Sequence, residues 1–587
     1  MQNIEISRIF SDIGDFLQIR GDVSFKIRSY QKAARILADL TVDVRELIES
    51  GKFQNIPGIG KTIEEKTKEI LDTGTCEAYE KLKTEMGLEA LELLDVQGVG
   101  GKTANRLYYD HDIKSVKQLE QALQDGSLQN VKGFGKKTLQ TITDSLQFIN
   151  TNRGIRLSSI ADTLAQNLTS ILNECETIVR FDVTGEVRRC EEMCRSIEIV
   201  VQGRQDVTTT ENDILEKFLE NKQKLALKLV ERNERITVPV ILKRFRQIHF
   251  HIDNDFPVVL YLCDVSEYDS ILFLTTASEE HLSALPKDST INIDIHSENT
   301  DYWINTKDDS ETEIYEKLGM CYVPPELRQF SDSVSLALEN KLPSLIELID
   351  IRGDLHSHTE WSDGRNTMDQ MVETATAQGL EYLGITDHSV SSTVANGLDQ
   401  KRLLIQIEHV RKLNEQIEGI TLLAGSEVDI RPNGSLDYPD DILAQLDIVI
   451  ASIHSQFTLS EAAMTKRMIA AIENPYVKII GHPTGRLLGS RSMYPINIDD
   501  VIRAAAENDT ILEINASPSR LDLGPEYVRK AKEAGVLMSI NTDAHSKLQF
   551  GFRRFGVNVA RRSGLTKDDV INTYTLEELR EKHIIKP

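Results

Sequence analysis

Between Arg352 and His545 seven short apolar runs each end in a histidine, aspartate, glutamate or asparagine: IRGDLHSH, EYLGITDHS, ITLLAGSEVD, LDIVIASIHS, VKIIGHP, TILEINAS and VLMSINTDAHS. Together they deliver His356, His358, Asp363, His388, Glu427, His454, His482, Asp543 and His545. Imidazoles and carboxylates without a thiolate suit Mn²⁺, Zn²⁺ or Fe²⁺ better than a soft-metal site. Nine such groups exceed the needs of one ion and fit a cluster of two or three. A cluster of this kind lowers the pKa of a bridging water towards neutrality and neutralises charge on a phosphate's non-bridging oxygens. The chemistry expected is metal-dependent hydrolysis. His356 and His358 stand two apart at a strand end, so both face one side and can chelate one ion. Six of the 13 histidines fall at these strand ends, a distribution that satisfied core histidines would not show; His409 and His583 lie in helix or tail contexts and read as surface residues.

The elements that must hold these groups are legible in the same runs. Each is a short, continuous apolar stretch, as expected of a parallel strand buried on both faces, and helical stretches fill the intervals. Parallel strands alternating with helices close into a barrel whose carboxyl ends converge on one face. The chain has 587 residues, enough for several domains, with 40% hydrophobic and 27% charged residues. The opening MQNIEISRIFSDIG has no apolar signal core and no run is long enough to span a bilayer, so a cytoplasmic protein without a membrane partner is expected. Cys76, Cys175, Cys190, Cys194, Cys263 and Cys321 all lie outside the barrel and form no CxxC pair; they read as reduced thiols. A net charge of −25 argues against tight non-specific binding to nucleic acid by the chain as a whole, so any such contact must come from a local constellation.

One exists in the first 150 residues. NIPGIGKTIEEKTKEI, DVQGVGGKTANRLY and NVKGFGKKTLQTI each place Gly-x-Gly after an apolar residue and ahead of a lysine and a helix. The glycine pairs are Gly58/Gly60, Gly98/Gly100 and Gly133/Gly135, followed by Lys61, Lys102, and Lys136 with Lys137. Glycines permit a tight turn and close backbone approach. The N–H groups opening each helix then face an anion, here a DNA phosphate, without reading sequence. These segments resemble the helix-hairpin-helix family of non-specific DNA binders. Ahead of them GDVSFKIRSYQKAARIL forms a basic amphipathic helix with Phe25, Tyr30, Ala33 and Ala34 on its apolar side.

That helix with the first two hairpins resembles the N-terminal domain of family X DNA polymerases. EIYEKLGMCYVPPELR resembles the thumb end of the bacterial members, which also carry a C-terminal PHP (polymerase and histidinol phosphatase) domain. The resemblance covers nearly the whole chain. It implies a helical DNA-binding domain with the first hairpin over 1–90, a fingers-like helical region with the other two over 91–155, and an α+β palm and thumb over 156–330. A linker helix over 331–350 and a distorted (β/α)7 PHP barrel over 351–587 complete the order. In eukaryotic relatives a lysine after the first hairpin forms a Schiff base with an abasic sugar, and Lys66 falls at that position. Glu64, Glu65 and Glu69 surround Lys66 with negative charge that favours the ammonium, so lyase activity is not expected.

In the family's palm, Gly-Ser-x-Arg-Arg is followed by Asp-x-Asp and a later strand supplies a third Asp, and these carboxylates hold two Mg²⁺ ions for nucleotidyl transfer. This chain has Gly185-Glu186-Val187-Arg188-Arg189, with Glu186 where the phosphate-binding Ser belongs, Ser196 and Glu198 for the aspartate pair, and Val259 for the third. The Phe-Thr-Gly-Ser that shapes the nucleotide pocket reads Thr275-Thr276-Ala277-Ser278, and INIDIHSENTDYWIN departs from the family pattern. Asp253, Asp255 and Asp264 lie near the third strand, out of register. Polymerisation by the two-metal route is therefore not expected.

For the barrel, the PHP resemblance implies that His356, His358, Glu427 and Asp543 hold one ion. Glu427, His454 and His482 would hold a second, and Asp363, His388 and His545 a third. The residues alone support only the pooled set. Arg486 in HPTGR is a candidate phosphate clamp, and Asp387, beside His388, is a candidate for orienting a ligand or moving a proton. The expectation is a Mn²⁺- and/or Zn²⁺-dependent (alternatively Fe²⁺-dependent) 3′–5′ exonuclease acting on DNA ends or gaps, sequence-independently. A phosphomonoesterase, an abasic-site endonuclease or 3′-phosphatase, a non-catalytic DNA-binding adaptor and an active gap-filling polymerase are the alternatives.

Overall fold

The computed structural model of this chain describes residues 3–39, 44–56, 58–129, 131, 133–151, 154–204, 206–221, 228–229, 246–252, 256–286, 291–292, 303–304 and 309–586. It divides into two compact units: residues 1–153 with 489–491, and residues 154–488 with 492–587. Asp253 and Asp255, and most of INIDIHSENTDYWIN, lie outside the described residues.

The first unit is helical. Helices α1 (Asn3–Arg20) and α2 (Ser24–Asp39) pack on each other through Phe10, Phe16, Tyr30, Ala33 and Ala34, all buried, and the Ser7 hydroxyl donates to the Ala34 carbonyl at 2.6 Å. Phe25, expected on the apolar side of α2, is instead 76% exposed. It sits in the first turn, and a helix face predicted from periodicity need not be covered where the helix begins. The hairpins lead into α3 (Lys61–Thr73), α4 (Gly101–Asp110) and α5 (Lys136–Thr151). Ile59, Val99 and Phe134, each flanked by two hairpin glycines, are buried in one shared core.

The second unit begins with a five-stranded sheet of β1 (Ile178–Thr184), β2 (Ile197–Gly203), β3 (Lys228–Leu229), β4 (Arg246–Ile252) and β5 (Phe256–Cys263), in the order β1-β2-β5-β4-β3. Strands β2 and β5 run parallel with Glu198 opposite Val259. The connection expected as a helix over 331–350 is helical only over Asp332–Leu338, with a single 3₁₀ turn at Leu348–Asp350. Asn340 takes a left-handed φ of 54° just past the helix end, and Pro343 disfavours helix in the residue before it.

The C-terminal part is the expected barrel. Seven parallel strands follow one another in chain order: β6 (Gly353–Asp354), β7 (Tyr382–Ile385), β8 (Thr421–Asp429), β9 (Ile448–Ser452), β10 (Ile479–Ile480), β11 (Ile511–Asn515) and β12 (Met538–Asn541). A parallel bridge from Ser357 to Ala544 brings the first strand's continuation to the last, nearly closing the barrel. All seven apolar runs supply one strand each. They carry no polar alternation because helices cover their outer faces, with Met464, Met468, Val501, Ile502, Val528 and Ala531 buried against them. Side-chain N-caps from Thr367, Asp399, Ser460 and Asn497 start four of these helices, each cap contributing about 1 kcal/mol.

Candidate metal centre and nucleic-acid interface

All nine predicted groups meet at the carboxyl ends of the barrel strands, because each follows or ends an apolar run whose strand terminates there. Glu427, on β8, is the fully buried centre. Its Oε1 lies 2.9 Å from His482 Nε2, 3.2 Å from His454 Nε2 and 3.6 Å from His356 Nε2. Its Oε2 lies 2.8 Å from His388 Nδ1 and 3.7 Å from His358 Nε2. Asp543 Oδ1 is 3.1 Å from His358 Nε2, and Asp363 Oδ1 is 3.4 Å from His545 Nε2 and 3.6 Å from His388 Nε2.

Three groups have ligand atoms within 4.8 Å of one another: His358/Asp363/His388/His545, His356/His358/Asp543 and His388/Glu427/His454. His358 and His388 each belong to two of these groups, whereas the grouping by resemblance gives each to one ion, and His482 belongs to none of the three. His356 Nε2, His358 Nδ1, His388 Nδ1 and Glu427 Oε2 are buried without a hydrogen bond among the described residues. Orphaned polar atoms are costly unless something else satisfies them. Four of them around one point, with only N and O donors, fit bound divalent cations. Two of the candidate ligands, His482 (φ 29°) and Asp543 (φ 53°), hold left-handed backbone that costs a non-glycine residue about 1–3 kcal/mol.

The electrostatics follow from this packing. Burial opposes ionisation of His356, yet the Glu513, Asp543 and Glu427 carboxylates push its pKa well above the usual value. His454 is raised to about 10 against burial, chiefly by Glu427 and Asp429, and His545 to about 9, also against burial, by Asp363 and Asp543. Burial, with His545 and His388 beside it, lowers His358 to about 3. Against burial, the imidazoles hold Asp363 near 2 and keep Glu427 and Asp543 well below the carboxylate range. Metal ligands must be deprotonated, so His356, His454 and His545 would each have to give up a proton to a bound cation, whose charge would then replace theirs beside the carboxylates.

A set of supporting residues was not singled out from the sequence. His356 Nδ1 donates to Glu513 Oε1 at 2.7 Å, and the His482 N–H donates to Glu513 Oε2 at 2.8 Å. His454 Nδ1 donates to Asp429 Oδ1 at 3.2 Å, and Asp429 accepts from the Ser392 hydroxyl at 2.6 Å. Both carboxylates lie in the named strand runs, Asp429 two residues after Glu427 and Glu513 in ILEIN; alternation along the strand is the signal that could have found them. Arg520 Nε stands 3.6 Å from Asp543 Oδ2 and brings a cation to the cluster.

Arg486, the candidate clamp, points elsewhere. Its guanidinium bonds to the carboxylate of Glu192 and to the backbone carbonyls of Arg520 and Leu521. Asp387 is fully buried and accepts from the Thr359 N–H (2.8 Å) and hydroxyl (2.6 Å), the Ser362 N–H (3.2 Å) and hydroxyl (2.5 Å), and Gln406 Nε2 (2.6 Å). Burial raises its pKa against these donors. So many donors suit a carboxylate that shapes the loop between His358 and Asp363.

In the palm-like sheet, Ser196 donates to Glu198 Oε1 at 3.3 Å and the Tyr261 hydroxyl to Glu198 Oε2 at 2.8 Å; burial raises the Glu198 pKa. Val259 occupies the adjacent strand position. Glu186 Oε1 pairs with Arg195 Nη1 at 2.8 Å. Arg188 is held by both oxygens of Glu311, at 3.0 and 2.6 Å, and by the Thr276 hydroxyl at 2.6 Å, and the Thr275 and Thr276 hydroxyls bond to Thr184. Asp264 is an exposed residue past the end of β5.

The first unit repeats one geometry three times. Gly58, Gly98 and Gly133 have φ of 109°, 93° and 93° in turns closed by Ile59 N–H to Ile56 O, Val99 N–H to Val96 O and Phe134 N–H to Val131 O. Only glycine adopts these φ values without strain. The second glycines differ. A Cβ on Gly60, Gly100 or Gly135 would meet nothing within 4 Å. Gly60 and Gly100 cap α3 and α4 in extended conformation with no side-chain cap, so no packing requirement explains glycine there. Lys61, Lys102, Lys136 and Lys137 are exposed beside them, while Lys66 is half-buried on α3.

With this geometry in place, the comparisons with known proteins are direct. Residues 1–76 match a helix-hairpin-helix domain, 90–147 a SAM-like helix-hairpin-helix tandem and 354–517 a PHP domain. The barrel and its cluster thus define a PHP-type, metal-dependent hydrolase joined to DNA-binding hairpins. The chain is 33% identical over 589 residues to the DNA polymerase/3′-5′ exonuclease PolX of Bacillus subtilis (strain 168), covering 99% of each chain. It therefore belongs to the bacterial family X DNA polymerases that carry a C-terminal PHP domain. The barrel alone is 37% identical over 233 residues to a protein named probable phosphatase from Thermoanaerobacter sp. (strain X514), 38% of this chain and 89% of the relative. A protein of the same name from Clostridium botulinum (strain Langeland / NCTC 10281 / Type F) is 30% identical over 246 residues, 40% of this chain and 96% of the relative. All six cysteines are free, and no described helix is long and apolar enough to cross a membrane.

Proposed function

We propose that this chain is a metal-dependent 3′–5′ exodeoxyribonuclease acting on DNA ends or gaps, with the barrel as its only catalytic centre. The observation that carries this reading is the contrast between two sites in one chain: nine candidate ligands converging in the barrel, and a palm whose three motif positions keep one carboxylate, Glu198, already bonded to Tyr261 and Ser196. His356, His358, Asp363, His388, Glu427, His454, His482, Asp543 and His545 would hold two or three ions, Mn²⁺ and/or Zn²⁺ by donor type. Bound there, such ions supply a hydroxide near neutral pH and Lewis acidity toward the phosphate. Glu513 and Asp429 fix the tautomers of His356 and His454. Arg520, beside Asp543, would meet a phosphate oxygen in place of Arg486. The hairpins bring a strand's backbone without regard to sequence. Lys66, half-buried on α3 among Glu64, Glu65 and Glu69, is given no lyase role.

The palm cannot hold two Mg²⁺ ions on Glu198 alone, and Arg188 of the same motif is paired with Glu311. The relatives named phosphatases favour a second reading, removal of a terminal phosphate, by the same site chemistry. Full-length protein with Mn²⁺ should shorten a 5′-labelled single strand and a gapped duplex nucleotide by nucleotide, and His356→Ala should abolish this. Intact strands beside rapid hydrolysis of a small phosphomonoester would replace the first reading with the second.

A further inference from the structure

Arg486 and Glu192 form a bridge that the proposed reaction does not use directly. Glu192 belongs to the palm-like part, and its own carbonyl accepts the Ser158 N–H at 3.0 Å, which ties it to the helix Ser158–Leu172. Its carboxylate meets Arg486 of the barrel, and the two side chains are 17% and 20% exposed. Partly buried arginine needs a counter-charge, and Glu192 is the carboxylate paired with Arg486 among the described residues.

The other hydrogen bonds of Arg486 are structural. Its Nε donates to the Arg520 carbonyl at 3.0 Å and its Nη2 to the Leu521 carbonyl, while Nη1 lies where a Cβ on Gly524 would come within 2.6 Å. The loop it grips is strained, because Leu521 holds a left-handed φ of 43°. Such backbone persists only where its surroundings over-determine it. Arg520, on that loop, turns its guanidinium toward Asp543 at 3.6 Å. Other charged contacts join the same parts with the same polarity, such as Arg554 with Asp162 at 2.7 Å and Arg561 with Glu326 at 2.7 Å. The Glu192 bridge, unlike these two, leads through the hydrogen bonds of Arg486 and the Arg520–Asp543 ion pair to the candidate metal cluster.

We infer that Glu192 is a positioning residue for phosphate binding: through Arg486 it holds the 520–521 backbone so that Arg520 faces the substrate phosphate. The palm thereby serves the barrel's hydrolysis although its own chemistry is gone. This rests on the hydrolase reading of the barrel but not on DNA being its substrate.

The test uses full-length, Mn²⁺-loaded protein and two substrates, a single-stranded oligonucleotide and p-nitrophenyl phosphate, with inorganic phosphate as competitive probe. Glu192→Ala should raise KM and the phosphate inhibition constant about 10-fold with kcat changed less than threefold, in the range found for residues that orient a site. Glu192→Gln, which keeps an acceptor oxygen for Arg486, should restore most of the loss. In an Arg520→Ala background Glu192→Ala should add less than twofold. Equal losses in both backgrounds, or a fall in kcat with unchanged phosphate inhibition, would overturn the inference. Should Glu192→Ala melt at a much lower temperature, Arg486→Lys replaces it, with the same pattern expected and the same outcome overturning it. No cleavage of the oligonucleotide by the unsubstituted protein would sink the exonuclease reading, while the ester and phosphate arms still decide the role of Glu192.

Discussion

Replacing Glu427 with glutamine removes one charge and almost no volume from the centre of the cluster. Five imidazole nitrogens lie between 2.8 and 3.7 Å from its two oxygens, and the side chain is fully buried. Breaking a buried charge pair by removing one partner costs about 3–5 kcal/mol. At about 1.4 kcal/mol per tenfold, that is roughly 10²–10⁴ in metal affinity and in hydrolysis under limiting metal. The metal-free protein offers a second reading of the same energy. Glu427 is held well below its ordinary pKa and His454 is raised to about 10. The His454 contribution is complete below its unfolded pKa of about 6.5 and is lost as pH rises through about 10. Glu427→Gln should therefore lower the metal-free melting temperature most near neutral pH and progressively less towards pH 10. Metal content after desalting, steady-state kcat/KM and melting curves in chelator across pH would measure all three effects. A variant that retains metal and hydrolyses DNA within threefold of the parent would refute the assignment of Glu427 as the central ligand.

Metal loading near neutral pH should release protons, because His356, His454 and His545 have raised pKa values in the metal-free protein; affinity should rise with pH until about 9–10, and calorimetry in buffers of different ionisation enthalpy would expose a pH-independent affinity as the contrary result. Alanine at Gly60, Gly100 and Gly135 together meets no internal atom, so melting should change by less than about 0.5 kcal/mol per site while DNA affinity falls several-fold. Gly98→Ala, at φ 93° and 3.2 Å from Ile142, should by contrast lose stability by about 1–2 kcal/mol; equal stability for both would dismiss the turn argument. With the barrel disabled by His356→Ala, primer–template and dNTPs should yield no templated extension, and any extension product would restore the palm as an active site.

Much of this was legible before any coordinates. The seven apolar runs gave seven parallel strands, and every candidate ligand lies at the predicted end, because a strand buried on both faces must carry its polar residues where the sheet stops. The hairpins were equally legible, since a Gly-x-Gly with an apolar residue between its glycines has few ways to fold. What escaped was whatever depends on partners distant in sequence. Phe25 fits a helix face that none of the described residues covers, whereas the early end of the connecting helix, before Asn340 and Pro343, was a local signal.

Residue chemistry and spacing therefore pointed to a parallel barrel with a set of N/O candidate metal ligands and to three glycine hairpins, since those properties belong to single segments, while the altered palm motifs were legible only through the family resemblance. Only the tertiary structure decided which carboxylate is the hub, which groups are orphaned for a cation and which arginine faces the site. Arg486 stands beside a ligand strand in sequence and Arg520 does not announce itself. Yet the Glu192 carboxylate, 294 residues away, captures the first, and the loop that Arg486 grips presents the second. A guanidinium goes where its hydrogen-bond acceptors are, and those acceptors are placed by the fold.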